Sequence, residues 1–390
     1  MISERPLNIA FLSTYPPREC GLATFTEDLL MALKNVPSMG QSRVVAVSNN
    51  STNYNCEVML ELKQHDRDSY LQTAKELNNS DIDLLVIEHE YGIYGGTRGE
   101  YLLNLVDNLK IPFVTTLHTV LPAPDEKQRK ILNTLAHKGE KIITMAKNAV
   151  EILESSYGID PSKIAVINHG VPYIPMESRE KLKADNGLEN RFIISTFGLL
   201  GPGKGLEYGV EAIAKVAQSH KDVLYYILGR THPAITKKSG EAYRKSLERM
   251  VAKLGIGDNV IFVNKYLSKE EIIRYLKLSD IYLTPYLNKD QAVSGTLAYA
   301  AGYGRVIVST PYLYAQEMLS QGRGLLCEFR NSESIASCIN YVLEHPEEKL
   351  HMEQNTLENG KTMMWENVAQ QYKDLFTSVL QQRENMRSVK

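Results

Sequence analysis

The sequence predicts an α/β protein made of two doubly wound domains in tandem. Short apolar runs alternate with amphipathic helical patterns along most of the 390 residues, and this alternation is typical of parallel sheets covered by helices. The strand candidates are apolar nearly throughout, as expected for strands that are buried on both faces. The pattern lapses over residues 171–190, where prolines and charges indicate a connection, and a second series then begins.

The first series opens with a predicted strand at residues 7–12 and a predicted helix at residues 21–34. In that helix Phe25, Leu29 and Leu33 share one face. The later candidates are the strands RVVAV, IDLLVIEH, IPFVTTLH, KIITM and KIAVINHG and the helices at about 69–77, 101–109, 125–137 and 146–156. We therefore expect residues 1–180 to form a Rossmann-like N-terminal domain.

The second series contains five strand candidates, which are RFIISTFG, VLYYILG, NVIFVN, DIYLTPY and RVIVST. One of the helices between them, in SKEEIIRYLKLSD, begins with a capping box formed by Ser268 and Glu271. We expect residues 181–365 to form a second Rossmann-like domain and residues 366–390 to belong to the first.

The composition excludes several classes of protein. The formal net charge is -2, so no overall basic field favours nucleic acid. No apolar run approaches the roughly 18 residues that span a bilayer, and the N-terminus lacks the order of a signal peptide. The four cysteines have no metal-ligand spacing, which favours a reduced, cytoplasmic protein over a secreted one with paired disulfides. The basic run KQRK leaves membrane contact open, although a solvated helix face explains it better.

Polar residues follow the strand candidates of the first half. Ligands of doubly wound sheets bind beyond the carboxyl ends of the strands, so these residues are candidates for a binding site. Gly21 opens a helix whose N–H groups can receive an anion or a sugar hydroxyl. His89 and Glu90 follow one strand, and His118 and His169 follow two others. The histidines lack zinc-ligand spacing, so we predict no metal site.

The strand ends of the second half indicate a phosphate site. Lys204 lies in the glycine-rich turn LLGPGKG, and Arg230 follows the next strand. Ser294, Gly295 and Thr296 begin a helix, where small residues, free N–H groups and the helix dipole favour a negative charge. No Ser or Thr follows the lysine, so the turn is not a magnesium-binding P-loop.

Taken in order, these motifs resemble the retaining GT-B glycosyltransferases of family 4, the "glycosyl transferases group 1" type. The matching segments are the loop around Gly21, TLH at His118, FGLLGPGKG at Lys204, SGTLAYAAG beginning at Ser294, and the closing MMWENVAQQYKDLF. The resemblance covers nearly the whole chain, and the order and spacing of the motifs are more specific than any one motif.

The resemblance implies a function for each domain. The second domain would hold a nucleotide-sugar and the first an acceptor, with retention of configuration and without metal, cofactor or protein nucleophile. Lys204, with Gly203 beside it, would contact the donor diphosphate, Gly21 would lie near it, and His118 near the transferred sugar. The C-terminal helix would cross back to the first domain, presenting the face that carries Trp365 together with Val368 and Tyr372.

The chain also departs from the family pattern. Leu199 stands where the family usually has an arginine. The family's Glu-x(7)-Glu pair is replaced by Lys289 and Leu297, although Asp290 or Gln291 offers a polar group beside the first position. These losses indicate a divergent branch of the family. We include Gln291 among the donor-binding candidates.

The sequence therefore predicts a hexosyltransferase that uses a nucleotide-sugar and a carbohydrate or glycoconjugate acceptor. Two alternatives stay open at this point. Leu297 cannot accept a hydrogen bond from a ribose, which favours a sugar phosphorylase on the same fold. The absence of both glutamates favours a non-catalytic carbohydrate-binding protein.

Overall fold

A computed structural model describes residues 5–49 and 53–388 of the chain. The chain divides into two compact units. Unit 1 comprises Met1–Pro172 with Met364–Lys390, and unit 2 comprises Tyr173–Met363. Each unit contains one parallel sheet with helices on its faces, so the predicted pair of Rossmann-like domains is confirmed.

Unit 1 contains a seven-stranded sheet with the order β3-β2-β1-β4-β5-β6-β7. Its strands are β1 (Leu7–Ser13), β2 (Met39–Ser48), β3 (Val58–Lys63), β4 (Leu84–His89), β5 (Phe113–Leu117), β6 (Lys141–Thr144) and β7 (Ile164–Val166). The strands pair in parallel. The order reverses at β1, which pairs with both β2 and β4, so the segments after β1 and β4 leave the same edge at the switch point of the sheet.

Five helices of unit 1 connect these strands. They are α1 (Gly21–Leu33), α2 (Arg67–Asn78), α3 (Leu102–Asn108), α4 (Glu126–Lys138) and α5 (Asn148–Tyr157). α4 begins with a capping box between Asp125 and Gln128. One core layer packs strand residues such as Leu12 and Ile87 against helix residues such as Leu105, which explains why these strands lack polar alternation.

Unit 2 contains a six-stranded sheet with the order β10-β9-β8-β11-β12-β13. Its strands are β8 (Phe192–Phe197), β9 (Val223–Leu228), β10 (Val260–Val263), β11 (Ile281–Thr284), β12 (Val306–Ser309) and β13 (Gly324–Leu326). The order reverses at β8, which pairs in parallel with β9 and β11. The loops after β8 and β11 therefore leave the sheet at its switch point.

Nine helices of the described part of the chain belong to unit 2. They are α6 (Arg179–Asp185), α7 (Leu206–Val216), α8 (Pro233–Ser239), α9 (Ala242–Leu254), α10 (Lys269–Leu278), α11 (Gly295–Gly302), α12 (Leu313–Met318), α13 (Ser332–Glu344) and α14 (Pro346–Thr362). The predicted capping box of Ser268 and Glu271 is present at the start of α10. The core packs residues of α7 and α13, such as Ile213 and Ile339, with strand residues such as Ile194.

The predicted connection at residues 171–190 contains α6, which belongs to unit 2. Lys183 Nζ lies 2.6 Å from the carboxylate of Asp280, and Arg179 Nη2 lies 2.6 Å from that of Glu353. These ion pairs join α6 to the buried Asp280, which directly precedes β11, and to Glu353 in α14. The units therefore change at Pro172 and Met363, earlier than the expected boundaries at residues 180 and 365.

The last helix, α15 (Trp365–Ser388), returns to unit 1. Its face with Trp365, Val368 and Tyr372 is buried, with exposed fractions of 6%, 0% and 0%. The Trp365 ring lies 5.2 Å from the ring of Phe25. A Cβ on Gly170 would lie 2.1 Å from the indole of Trp365, so only glycine fits beneath this ring. The predicted docking of this face onto the first domain is confirmed.

The described residues bear on two further expectations. All four cysteines are free thiols. Among residues 5–49 and 53–388, no helix combines the length and the apolar character needed to cross a bilayer.

Candidate active site

In unit 2 the loops after β8 and β9 run in contact. Gly198 and Gly229 have φ values of +135° and +130°, a region that side chains rarely adopt. A Cβ on Gly229 would lie 2.0 Å from the carbonyl oxygen of Gly198. Farther along, the Leu200 N–H donates to the Arg230 carbonyl over 2.9 Å. The two glycines therefore allow both loops to leave the sheet side by side.

The turn that carries Lys204 is fixed against the segment after β11. Gly203 accepts a hydrogen bond from the Leu287 N–H over 3.0 Å. Gly205 has φ of +61°, and a Cβ there would lie 2.1 Å from the carbonyl oxygen of Pro285. Lys204 Nζ lies 3.7 Å from the centroid of the Tyr286 ring, within the range of a cation–π interaction.

Tyr286 also contacts the start of α11. Its Oη lies 2.9 Å from Thr296 Oγ1, which lies 3.2 Å from Ser294 Oγ. Ser294 is the N-cap of α11, and its hydroxyl accepts a hydrogen bond from the Leu297 N–H over 3.4 Å. One buried aromatic side chain, 1% exposed, thus connects Lys204 with the helix start. The expected proximity of these groups is present within unit 2.

The start of α11 suits an anion. Its first turn carries no acidic side chain, and Gly295 and Thr296 are partly exposed. The N–H groups of a first helical turn lack intrahelical acceptors, and the helix dipole adds partial positive charge there. With the Lys204 ammonium nearby, the site can bind and stabilise a phosphate group.

Two further donor-site candidates lie near these loops. Arg230 follows β9, and its Cζ lies 5.6 Å from the centroid of the Tyr266 ring. Gln291 precedes α11, and its side-chain amide donates to the Val293 carbonyl over 3.1 Å. Lys289 is exposed, whereas Leu297 is completely buried in the core. The side chain at position 297 therefore faces away from any ligand at the helix start.

In unit 1, Gly21 is the first residue of α1 and lies on the β1–α1 loop. A Cβ on Gly21 would meet no atom within 4 Å. No side chain of the described residues caps the helix, and its first turn contains no acidic residue. This helix start, like that of α11, has amides without intrahelical acceptors that can meet a polar ligand.

His118 follows β5 and is held by a carboxylate that the sequence analysis missed. His118 Nε2 lies 2.7 Å from Glu88 Oε2, and its ring meets the Phe25 ring edge-on at 4.8 Å. Glu88 lies inside β4 and is 0% exposed. A charged residue within an otherwise apolar strand was the available signal, because buried carboxylates require partners.

The other two histidine candidates are buried. His89 is 1% exposed, and burial lowers its pKa to about 3. His169 is 8% exposed, and burial lowers its pKa to about 4. Both are neutral at pH 7. Glu90 is partly exposed and accepts hydrogen bonds from the Tyr91 N–H and the Thr119 hydroxyl.

The described residues contain no cluster of three or more His, Cys, Asp or Glu side chains that could hold a metal ion.

Comparison with known proteins identifies the family. Residues 178–359 match the family described as glycosyl transferases group 1, and residues 58–173 match glycosyltransferase family 4. The chain belongs to the group 1 glycosyltransferases. Among curated relatives, this glycosyltransferase is 21% identical to the D-inositol 3-phosphate glycosyltransferase of Corynebacterium glutamicum (strain R) over 71% of its own length and 69% of the relative. Other curated relatives are matched over 51 to 63% of their lengths.

Solved structures show that this glycosyltransferase has the GT-B fold. The Anabaena Alr3699/HepE protein in complex with UDP matches it with a TM-score of 0.76 and 16% identity, covering 95% of this chain and all of that one. Sucrose-phosphate synthase from Thermosynechococcus elongatus matches with a TM-score of 0.77 and 16% identity, covering 96% and 99%. The predicted family and fold are thus confirmed.

Proposed function

We propose that the chain transfers a hexose from a nucleotide-sugar to a carbohydrate or glycoconjugate acceptor, with retention of anomeric configuration. The observation that carries this proposal is the contact of Tyr286 with both Lys204 and Thr296 in unit 2. This contact holds the Lys204 ammonium close to the N-terminus of α11. Both groups can stabilise the negative charge of a leaving diphosphate. The complex of the related Anabaena protein with UDP supports a nucleotide donor.

The proposed chemistry follows from where charge develops. When the sugar–phosphate bond breaks, negative charge grows on the diphosphate while the sugar becomes oxocarbenium-like. The Lys204 ammonium and the N–H groups at residues 294–296 stabilise that charge. One donor of this kind contributes about 3 kcal/mol, or about a hundredfold in rate. The acceptor hydroxyl attacks the anomeric carbon from the side of the breaking sugar–phosphate bond and passes its proton to the leaving phosphate, so no protein base is required.

We assign the recognition of sugars to unit 1. His118 follows β5, where its ring is held by Glu88 and Phe25, and Gly21 begins a helix whose first amides lack intrahelical acceptors. Glu90 is the polar candidate beside them, whereas the buried His89 and His169 contribute to the packing beneath. Gly203, Arg230, Gln291, Ser294 and Gly295 complete the donor side in unit 2. We propose that the protein needs no cofactor beyond its substrate and acts in the cytoplasm.

A sugar phosphorylase is the second candidate, and the burial of Leu297 favours it. That side chain cannot contact a ribose, because it is 0% exposed within the core of unit 2. A phosphorylase has no ribose to bind, since inorganic phosphate takes the place of the nucleotide. The same helix start and lysine would serve either reaction. A non-catalytic carbohydrate-binding protein is the third candidate, as the absence of both family glutamates suggests.

One ligand panel distinguishes these candidates. Thermal melting is measured with UDP, GDP, inorganic phosphate and no ligand, and mass spectrometry then follows the hydrolysis of a set of nucleotide-sugars. We expect a nucleoside diphosphate to raise the melting temperature and one nucleotide-sugar to be consumed. Stabilisation by phosphate alone would favour the phosphorylase, and stabilisation by neither would favour the binding protein.

Retention is tested on the product of the same reaction. The anomeric proton of the hexose released by hydrolysis is observed by NMR before spontaneous mutarotation can mix the two forms. We expect the first product to keep the configuration of the donor. An inverted first product would contradict the proposed mechanism while leaving the donor assignment intact.

A further inference from the structure

Glu88 occupies an unusual position for a carboxylate. It lies in β4 directly before His89 and is 0% exposed, and the four strand residues before it are buried and apolar. Removing a carboxylate from water costs several kcal/mol unless partners compensate. A strand that only filled the core would carry an aliphatic residue there.

The described residues give this carboxylate one side-chain partner. Oε2 lies 2.7 Å from His118 Nε2, while Oε1 is buried and, within the described chain, has no hydrogen-bond partner. The charge is felt nearby, since the pKa of Tyr372 is raised by burial and further by Glu88. The main interaction of Glu88 is therefore with the imidazole of His118.

The rest of the His118 environment restricts the ring to one orientation. Phe25 packs against it edge-on, with the ring planes at 88°. The His118 backbone N–H donates to the His89 carbonyl over 3.0 Å. The side chain keeps 12% of its surface exposed. Phe25 and Glu88 thus hold the ring, while a small part of it stays accessible.

We propose that Glu88 is the positioning residue for His118 in the reaction proposed above, on which this inference rests. A carboxylate only accepts hydrogen bonds, so the hydrogen of the neutral ring must lie on Nε2. Nδ1 is then the lone-pair nitrogen and accepts a hydrogen bond from a sugar hydroxyl. Glu88 thereby determines that His118 acts as an acceptor towards the sugar rather than as a donor.

The substitution Glu88→Gln separates this role from simple filling of space. Glutamine has nearly the same shape, but its amide can also donate a hydrogen bond to Nε2. The ring can then carry its hydrogen on Nδ1 and present a donor to the sugar. If Glu88 served only to fill the core, this nearly isosteric change would leave the His118 ring unaltered.

The experiment reads the tautomer of His118 in the ligand-free full chain. The protein is labelled with 15N-histidine, and two-bond 1H–15N spectra are recorded for the wild type, Glu88→Gln and the exposed control Glu61→Gln. The signal of His118 is assigned by its loss in His118→Gln. We expect a hydrogen on Nε2 alone in the wild type and the control, and a hydrogen on Nδ1 in some or all of the Glu88→Gln molecules. A wild-type hydrogen on Nδ1, or identical spectra in all three, would overturn the proposal.

Kinetics give a second readout. With the donor found in the ligand panel, we expect Glu88→Gln to lower kcat/KM about tenfold, as the loss of one hydrogen bond to the sugar does, while its melting temperature stays near that of the wild type. A changed tautomer with unchanged kcat/KM would show that His118 has no part in the reaction. If no donor is consumed, the function proposed above fails, and the tautomer measurement still decides whether Glu88 positions His118.

Discussion

Substitutions of Tyr286 separate the two contacts that join Lys204 to the start of α11. In Tyr286→Phe the ring stays beside the Lys204 ammonium, 3.7 Å away in the wild type, and only the hydroxyl contact with Thr296 is lost. In Tyr286→Leu both contacts are lost. Tyr286→Phe therefore measures the contribution of the hydroxyl to ligand binding, and Tyr286→Leu measures the contribution of the hydroxyl and the ring together.

The structure sets the expected magnitudes for binding of UDP. The hydrogen bond contributes about 1 kcal/mol to holding the helix start in place, so we expect Tyr286→Phe to weaken binding by up to about fivefold. A partly desolvated cation–π contact contributes about 1–2 kcal/mol more, so Tyr286→Leu should weaken it about fiftyfold. Isothermal titration measures both dissociation constants. Melting curves check the fold, because Tyr286 is 1% exposed and leucine leaves a cavity.

A double-mutant cycle with Lys204→Met tests whether the two residues act together. If the Tyr286 ring positions Lys204, removing the lysine should cost much less in the Tyr286→Leu background than in the wild type. Additive effects of Lys204→Met and Tyr286→Leu, or wild-type affinity in Tyr286→Leu, would refute this reasoning.

Two further predictions concern the stability of unit 1. Trp365→Ala should lower its free energy of unfolding by about 3–5 kcal/mol, since Trp365 is 6% exposed and packs on Phe25; calorimetry should show this beside Leu350→Ala, an exposed control, and an unchanged transition would contradict the docking of α15. Burial lowers the pKa of His89 to about 3 and of His169 to about 4, so the unfolded chain binds more protons below about pH 6.5. Above that pH both rings are neutral in the folded and unfolded chain, so the free energy of unfolding is at its full value. Below it, each ring lowers the free energy of unfolding by about 1.4 kcal/mol per pH unit towards pH 4. Urea unfolding at pH 6.5 and 5.0, followed by the single tryptophan, should show the loss, and equal stabilities would contradict it.

The missed strands show how far the sequence predicts the fold. β3 and β13 were missed, and both lie at the edge of a sheet. β3 has one buried residue of six, and β13 has three residues, none of them buried. The central strands are buried on both faces and therefore appear as continuous apolar runs. These two edge strands are packed loosely and their sequences carry a weak signal, whereas the edge strands β7 and β10 still contain the apolar runs that predicted them.

Some residues of the candidate site could be predicted from their place in the sequence, and others only from contacts in the folded chain. Lys204, Ser294 and His118 could be predicted because each lies in a segment that leaves the carboxyl end of a strand. Tyr286 and Glu88 could not be assigned roles, because their partners are distant in the chain: Lys204 precedes Tyr286, and His118 lies 30 residues after Glu88. His89 and His169 have the same sequence signal as His118 but are buried. Strand ends predict which residues are near the edge of the sheet, and packing determines which of them face a ligand.

The central claim is that Lys204 and the start of α11 bind the phosphates of a nucleotide. The most direct measurement compares the affinities for uridine and UDP in the wild type, Lys204→Ala and Lys221→Ala, an exposed lysine that precedes β9 at the opposite edge of the same sheet. We predict that UDP binds the wild type and Lys221→Ala more tightly than uridine does, and that Lys204→Ala weakens UDP binding at least about tenfold while uridine binding is unchanged. Equal UDP affinity in wild type and Lys204→Ala, or a wild type that binds UDP no better than uridine, would contradict the claim.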